Sequence, residues 1–267
     1  MLFIKTVFII GIALLIGACG VTSERDDGPP QEGVDISSVP DAVPKNEPRS
    51  RYGNPDSYVV MGKQYHVMRD NRGFVQKGIA SWYGKKFHGR RTSSGETYNM
   101  YAMTAAHKTL PLPTYVQVTN IGNGRSVILK VNDRGPFHEN RIIDLSYTAA
   151  AKLDILKNGT GLVEVQVIDA TRFAQEGMPV RPVTTTVSNS SGFYIQVGSF
   201  GKLPNAEQLR TRLGILGENL VKISQVVVEG ETVYRVRIGP LTDINMADSI
   251  VSRLDQFGVL EHRIVVD

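Results

Sequence analysis

Apolar and polar residues alternate with a period of two through much of residues 78–169. In "TYVQVTN", Tyr115, Gln117 and Thr119 oppose Val116 and Val118. In "RSVILKVND", Val127, Leu129 and Val131 fall on one side and Ile128 and Lys130 on the other, and "LVEVQVID" alternates again. This period marks strands with one buried face. "TNIGNGRS" between the first two predicts a hairpin turning at Asn123–Gly124. The period changes after Ser146: in "YTAAAKLDIL", Ala149, Ala150, Leu153 and Leu156 share one helical face, and Ser146 is placed to cap it. Short strands with one or two helices in about a hundred residues predict a small closed β-barrel.

Two flanking segments have different rhythms. "YVVMGKQYHVM" predicts two short strands around a Gly62–Lys63 turn. The last segment, residues 193–267, reads strand "FYIQVGSF", helix "NAEQLRTRLGIL", strands "VKISQVVV" and "TVYRVRIGP", helix "NMADSIVSRLDQF" and strand "HRIVVD". The order β-α-β-β-α-β is the split βαβ, ferredoxin-like pattern, with two helices on one face of a four-stranded sheet. Ile195, Val197, Val236 and Ile238 are expected to face the helices. Gln196, Ser199, Arg235 and Arg237 are expected on the open sheet, where they can hydrogen-bond a polar ligand. The bland alternative is that they are solvated sheet residues.

The fold class is therefore mainly β plus α+β. The expected segments are 1–18 signal, 19–57 disordered tether, 58–77 strand extension, 78–169 barrel, 170–192 linker and 193–267 small domain. The tether is rich in Pro, Asp, Glu, Ser and Gly and poor in large apolar residues, a composition that buries too little surface to fold. The linker "TRFAQEGMPVRPVTTTVSNSSG" carries Pro and a Ser/Thr-rich end.

Composition narrows the chemistry. The 267 residues carry 41% hydrophobic residues and a net charge of +4. That charge is too small to argue for nucleic acid. Neither a Cys/His metal cluster, a P-loop nor a Rossmann glycine pattern is present, so no metal or cofactor is expected. The single cysteine, Cys19, follows Lys5, a short apolar run from Val7 to Ile16 and the small residues of "IGA". This reads as an export signal, too short to span a membrane comfortably. "IGAC" resembles a bacterial lipobox, which implies lipidation at Cys19. Gly20, in place of the Asp that signals inner-membrane retention, implies the outer membrane.

Candidate chemistry gathers in two motifs. In "SVILKVND", Asp133 stays in phase with Val127, Leu129 and Val131. An acid there is either buried and paired or desolvated into a proton donor; it is alternatively a turn-former before Gly135–Pro136, or a partner of Arg134 or Arg141. Upstream, Glu96 follows the loop residues Ser94–Gly95, and His107 follows "TAA", read as a helical turn that Thr104 caps. A second carboxylate suits glycan chemistry, where an oxocarbenium-like transition state needs proton donation and charge stabilisation. Trp82, Tyr83 and Tyr98 are candidates to stack on sugars, or equally to fill the core.

"GIASWYGKKFHGRRTSSGETYN", "TAAHKTLPLPTYVQVTN", "NGRSVILKVNDRGPF" and "RIIDLSYTAAAKL" closely resemble the rare lipoprotein A (RlpA) family of septal lytic transglycosylases. The resemblance implies a double-psi β-barrel and cleavage of N-acetylmuramic acid–N-acetylglucosamine bonds in peptide-stripped peptidoglycan, leaving 1,6-anhydro ends. It implies catalytic roles for Asp133 as general acid, and for Glu96 and His107 in charge stabilisation and orientation. Tyr83, Ser94 and Arg134 would line the substrate. "FYIQVGSF" and "VYRVRIGP" resemble the SPOR domain, which binds denuded glycan; there Gln196, Ser199, Arg235 and Arg237 would contact sugar. The expected partners are peptidoglycan, the outer membrane through the lipid anchor, and division-site proteins, with no nucleic acid. Where "PLPTYVQV" departs from the family's usual Phe-Gly, Leu112–Pro113 retains the turn. The alternatives are a non-enzymatic, expansin-like glycan binder and a purely structural division lipoprotein.

Overall fold

The computed structural model describes residues 28–30, 35–176, 192–217, 219–259 and 261–266. The signal segment, Cys19 and most of the Ser/Thr-rich linker lie outside the described residues.

The first two strands, β1 (Ser57–Val60) and β2 (Lys63–His66), form an antiparallel hairpin. Its turn is at Met61–Gly62, one residue earlier than expected, because these two residues take φ of 50° and 77°. Two consecutive left-handed residues match the right-handed twist of paired strands, and Lys63 is then free to enter β2.

Six strands close the barrel. They are β3 (Val75–Tyr83), β4 (Thr104–His107), β5 (Thr114–Asn120), β6 (Ser126–Asp133), β7 (Arg141–Ser146) and β8 (Gly161–Val167), ordered β3-β7-β4-β6-β5-β8. The pairs β3–β7 and β4–β6 are parallel and the other four antiparallel. "TAAH" is therefore a strand rather than a helical turn. It lies between β6 and β7, and pairing on both edges overrides the helical preference of two alanines. The inward residues Val116, Val118, Leu129, Val131, Ile143, Leu145, Val163 and Val165 make a closed core. Each large aliphatic side chain so buried contributes about 1.5–3 kcal/mol. A short helix, α1 (Tyr147–Lys152), plugs one side with Ala149 and Ala150, and Ser146 Oγ accepts the Ala149 amide at 3.3 Å.

The segment expected to be a disordered tether is, from Val39 onward, a strap on the barrel. Ala42 N–H donates to Ile128 O at 3.1 Å, and Asp41 accepts the Ile128 amide at 2.9 Å. Further along, Ser50 N–H donates to Leu112 O, and the Asn54 amide both donates to and accepts from the Leu112 backbone at 2.8 Å. Composition misleads here because the strap is held largely by backbone and charged contacts, with Val39 and Ala42 packing on the core and Pro44 buried. The expected linker also begins later. Residues Ala170–Glu176 form a helix, α2, whose first amides at Thr171 and Arg172 are capped by the Asp169 carboxylate.

The small domain has the expected order. Strands β9 (Phe193–Phe200), β10 (Val221–Val228), β11 (Glu231–Leu241) and β12 (Arg263–Val266) form an antiparallel sheet ordered β10-β11-β9-β12. Helices α3 (Leu203–Leu213) and α4 (Ile244–Leu254) bury Leu209, Leu213, Ile250 and Leu254 against Ile195, Val197, Val236 and Ile238. The domain docks on the barrel through polar contacts. Arg141 pairs through two guanidinium nitrogens with Asp248 of α4, which also accepts Asn140 Nδ2 at 3.1 Å, and Asn140 Oδ1 meets His262 Nε2 at 2.9 Å.

The strap makes a stability test possible. Gly53 has φ of +80°, and a Cβ there would stand 2.6 Å from Ser93 O and 2.9 Å from Leu112 Cδ1. Gly62 has a similar φ of +77° but open space around it. In urea unfolding, Gly62→Ala is expected to cost about 1 kcal/mol for the left-handed backbone alone, and Gly53→Ala about 2–3 kcal/mol because the clash adds to it. Equal costs would mean that the strap leaves the barrel easily.

Candidate active site

The site is built on a one-residue irregularity. Along the parallel β4–β6 pair, Ala105 faces Val131, but the next residue, Ala106, faces Asp133. Asn132 is the extra residue, a β-bulge. A bulge shifts alternation by one position and re-aims the side chains beyond it. Asp133 thus leaves the inward stripe of Val127, Leu129 and Val131 that simple alternation assigned it, and shares the outer row with Ala106.

Asp133 is half-buried and firmly held. Its Oδ1 accepts the Ser93 amide at 2.8 Å, Ser93 Oγ at 2.6 Å and the Arg134 amide at 2.7 Å. Ser93 belongs to a tight loop in which Thr92 N–H donates to Glu96 O at 2.8 Å and Gly95 takes φ of +93°. The loop lies along β6 because Ser94 N–H donates to Asn132 O at 3.2 Å. Glu96 is fixed at the same strand end. Its Oε2 accepts Asn132 Nδ2 at 2.7 Å and its Oε1 meets Lys130 Nζ at 2.9 Å. Lys130 also reaches Glu47 of the strap at 3.1 Å. One carboxylate is thus bound to the bulged residue and the other belongs to the residue after it.

His107 stands apart from both. It is 2% exposed at the inner end of β4, with its ring edge-on to Phe74 at 5.5 Å. Nδ1 accepts the amides of Thr109 and Leu110 at 3.1 Å, so the proton sits on Nε2, which faces Gln76 Oε1 at 3.3 Å. Burial, then the Arg134 and Lys108 charges, lower its pKa from 6.5 to about 3. The expectation that His107 orients a catalytic carboxylate meets a different geometry: its partners are Gln76 and the loop after β4. Arg134 is likewise committed. Its guanidinium donates to the carbonyls of Gly53, His107 and Leu110 and to Asn54 Oδ1, and lies 5.8 Å from the Tyr58 ring centroid. It ties the strap and the β4–β5 loop to the residue after Asp133, rather than reaching for substrate. Ser94 is buried with its hydroxyl 3.0 Å from Thr92 Oγ1.

Comparison with known proteins places these features. A family model described as lytic transglycolase matches residues 75–167, and a SPOR domain model matches residues 189–259. A protein of Vibrio cholerae named endolytic peptidoglycan transglycosylase RlpA is 41% identical over 251 residues, covering 92% of this chain and 91% of its own. The protein of that name from Pseudomonas aeruginosa is 40% identical over 282 residues, covering 87% and 81%. That from Neisseria meningitidis is 42% identical over 206 residues, covering 76% and 80%. The chain belongs to the RlpA family.

The remaining expected residues of this RlpA-family chain divide between its two domains. Tyr83 is 7% exposed and stacked on Tyr98 with centroids 4.1 Å apart. Burial, then Tyr98 and the carboxylates Asp133 and Asp144, push its ionisation well up. It is a wall under the site, not an exposed sugar platform. In the SPOR domain, Arg235 pairs with Ser199 and Arg237 with Gln196 across β11–β9. Lys222 and Arg263 extend the second row over β10 and β12. Gln196 is nearly buried between its basic neighbours, and Ser199 is exposed.

Three residues at the site escaped sequence reasoning. Asn132 and Lys130 looked like an ordinary polar pair on a strand, because a bulge has no local signature. Asp144 stood in "RIIDLS" with an outward phase, and that acid between apolar neighbours was the available signal. Among the described residues no group of three potential metal ligands gathers.

The histidine provides a test through pH. The folded state refuses a proton until about pH 3, whereas an unfolded His107 takes one near pH 6.5. Stability from this group is therefore complete above pH 6.5 and is lost as pH falls towards 3, at up to about 1.4 kcal/mol per pH unit. Urea unfolding between pH 7 and 4 is expected to show a shallower pH slope in His107→Gln than in the wild type, whatever the variant's absolute stability. Equal slopes would show that His107 takes up its proton at the same pH in the fold as in the unfolded chain.

Proposed function

We propose that this chain is an endolytic peptidoglycan lytic transglycosylase. It cuts between N-acetylmuramic acid and N-acetylglucosamine in strands lacking stem peptides and leaves 1,6-anhydro ends. The observation that carries this reading is the pair Glu96 and Asp133, fixed at one strand end through Asn132 and Ser93. Asp133 donates its proton to the glycosidic oxygen as the bond to C1 breaks. The C6 hydroxyl of the same sugar attacks C1 in place of water, so no hydrolytic water is consumed. Glu96, anchored by a cation and an amide, presents a fixed negative charge to the oxocarbenium-like transition state.

The SPOR domain serves as the second glycan contact. Its rows of Arg235 with Ser199, and Arg237 with Gln196, flanked by Lys222 and Arg263, suit hydroxyls, N-acetyl oxygens and the lactyl carboxylates of peptide-free strands. Two linked sites on one polymer raise the effective substrate concentration at the barrel. The lipobox-like "IGAC" with Gly20 supports anchoring at Cys19 on the periplasmic face of the outer membrane, with the SPOR domain directing the protein to the division septum.

Full-length protein in detergent, incubated with peptide-free glycan strands, is expected to release anhydro-ended fragments detectable by mass spectrometry. Asp133→Asn is expected to slow release roughly 10²–10⁴-fold, the range of general-acid catalysis, and Glu96→Gln by about 10²-fold, as for one lost electrostatic contact. Both should still bind glycan. Wild-type protein that binds strands and releases nothing would make the barrel an expansin-like binder.

A further inference from the structure

Four residues stand in one row across the outside of the barrel. Asp133 on β6 pairs with Ala106 on β4, Ala106 with Asp144 on β7, and Asp144 with Ser81 on β3. Neighbouring strands lie about 4.8 Å apart, so the two aspartates are about 10 Å apart at Cα. The β7 residues on either side of Asp144, Ile143 and Leu145, point into the core, so Asp144 points out with Asp133. Ser81 Oγ donates to Asp144 Oδ1 and orients the carboxylate.

Ala106, between the aspartates in the row, is 3% exposed and packs with Tyr83, Tyr98 and Met100. Ala106 supplies only a methyl group. Gly135, at φ of +139°, passes above it; a Cβ there would lie 3.8 Å from Ala106 Cβ and 3.9 Å from Asp144 Oδ2. A side chain at 135 would be strained by this backbone conformation, while its Cβ would make only ordinary contacts with Ala106 and Asp144. Tyr83 bounds the same space and feels the charge of both aspartates.

We propose that Asp144 is a second catalytic carboxylate of this site, the base that receives the C6 hydroxyl proton. The proposal rests on the transglycosylase reading above and completes its proton balance. As the C1–O bond to the leaving sugar breaks, that oxygen takes the Asp133 proton. The C6 oxygen forms its bond to C1 and gives its proton to Asp144. No water is added and no redox change occurs; exchange with solvent then returns Asp133 to its acid form and Asp144 to its carboxylate. Glu96 stands outside this row, bound to Asn132 and Lys130.

The test compares full-length wild type, Asp133→Asn, Asp144→Asn, Asp144→Glu and Asp144→Ala on peptide-free strands. Anhydro-end formation, glycan affinity and urea midpoint are measured for each. Asp144→Asn is expected to lower kcat roughly 10²–10⁴-fold with glycan affinity unchanged, Asp144→Glu to recover part of it, and added formate to restore turnover to Asp144→Ala by replacing the missing base. Turnover retained in Asp144→Asn while Asp133→Asn is inactive would overturn the proposal and leave the transglycosylase reading intact. So would a loss that neither formate nor Glu repairs, since it would make Asp144 a structural acceptor for Ser81. Turnover retained in Asp133→Asn would overturn the transglycosylase reading of Asp133, and the proposal with it.

Discussion

The arrangement of this site depends on the bulge at Asn132. Strict alternation would set Asp133 inside the barrel, in register with His107 on β4. There a carboxylate would meet a closed apolar end and no substrate. One extra residue moves Asp133 to the outside and leaves His107 within. The bulged residue is not idle, because its side-chain amide takes Glu96 and its carbonyl takes the Ser94 amide. A single local departure from pairing therefore orients one acid, anchors a second and docks the loop that holds both. Barrel closure makes the departure tolerable: β6 is paired on both edges, so the irregularity stays confined to its last residues.

Much of what steadies the site comes from outside the six strands. The strap delivers Glu47 to Lys130 and the Gly53 carbonyl to Arg134, the two cations that flank Asn132 and Asp133 in sequence. The Lys130 pairs are partly exposed and add little to stability, within about 1 kcal/mol each. Their effect is positional, because an ammonium shared between Glu47 and Glu96 limits where Glu96 can swing. Arg134 is different. Its donors go mostly to backbone carbonyls from separate segments, and charge-assisted bonds of that kind are worth about 1.5–3 kcal/mol each. The aromatic hairpin adds to the same support, with Phe137 edge-on to Tyr58 at 6.3 Å and tilted on Tyr65 at 5.7 Å.

The sequence was legible wherever one physical rule acted alone. Period-two patterning located β5, β6 and β8, Ser146 announced the helix it caps, and the βαββαβ order of the small domain followed from alternation and helical faces. It was illegible where rules competed. "TAAH" carries helix-favouring alanines but is claimed by strand pairing on both edges. The strap has a disordered composition but finds preformed acceptors on the barrel. The pair Glu96 and Asp133 could be nominated from residue types and family likeness, yet their relation through Asn132 could not, since a bulge is set by pairing partners remote in sequence. His107 and Arg134 show the converse competition. Both look chemically able, and both are committed to holding backbone.

The two domains are also joined at a point that bears on the chemistry. Asn140 and Arg141 contact Asp248 and His262 of the SPOR domain, and Arg141 begins β7, the strand that carries Asp144. Arg141 is almost wholly buried, and a buried guanidinium needs its partner, since removing one member of such a pair typically costs about 3–5 kcal/mol. The contact therefore does more than fasten one domain to another. It fixes the start of a strand whose fourth residue lies in the row with Asp133. The SPOR sheet and the barrel site are thus linked through one short strand as well as through the covalent chain.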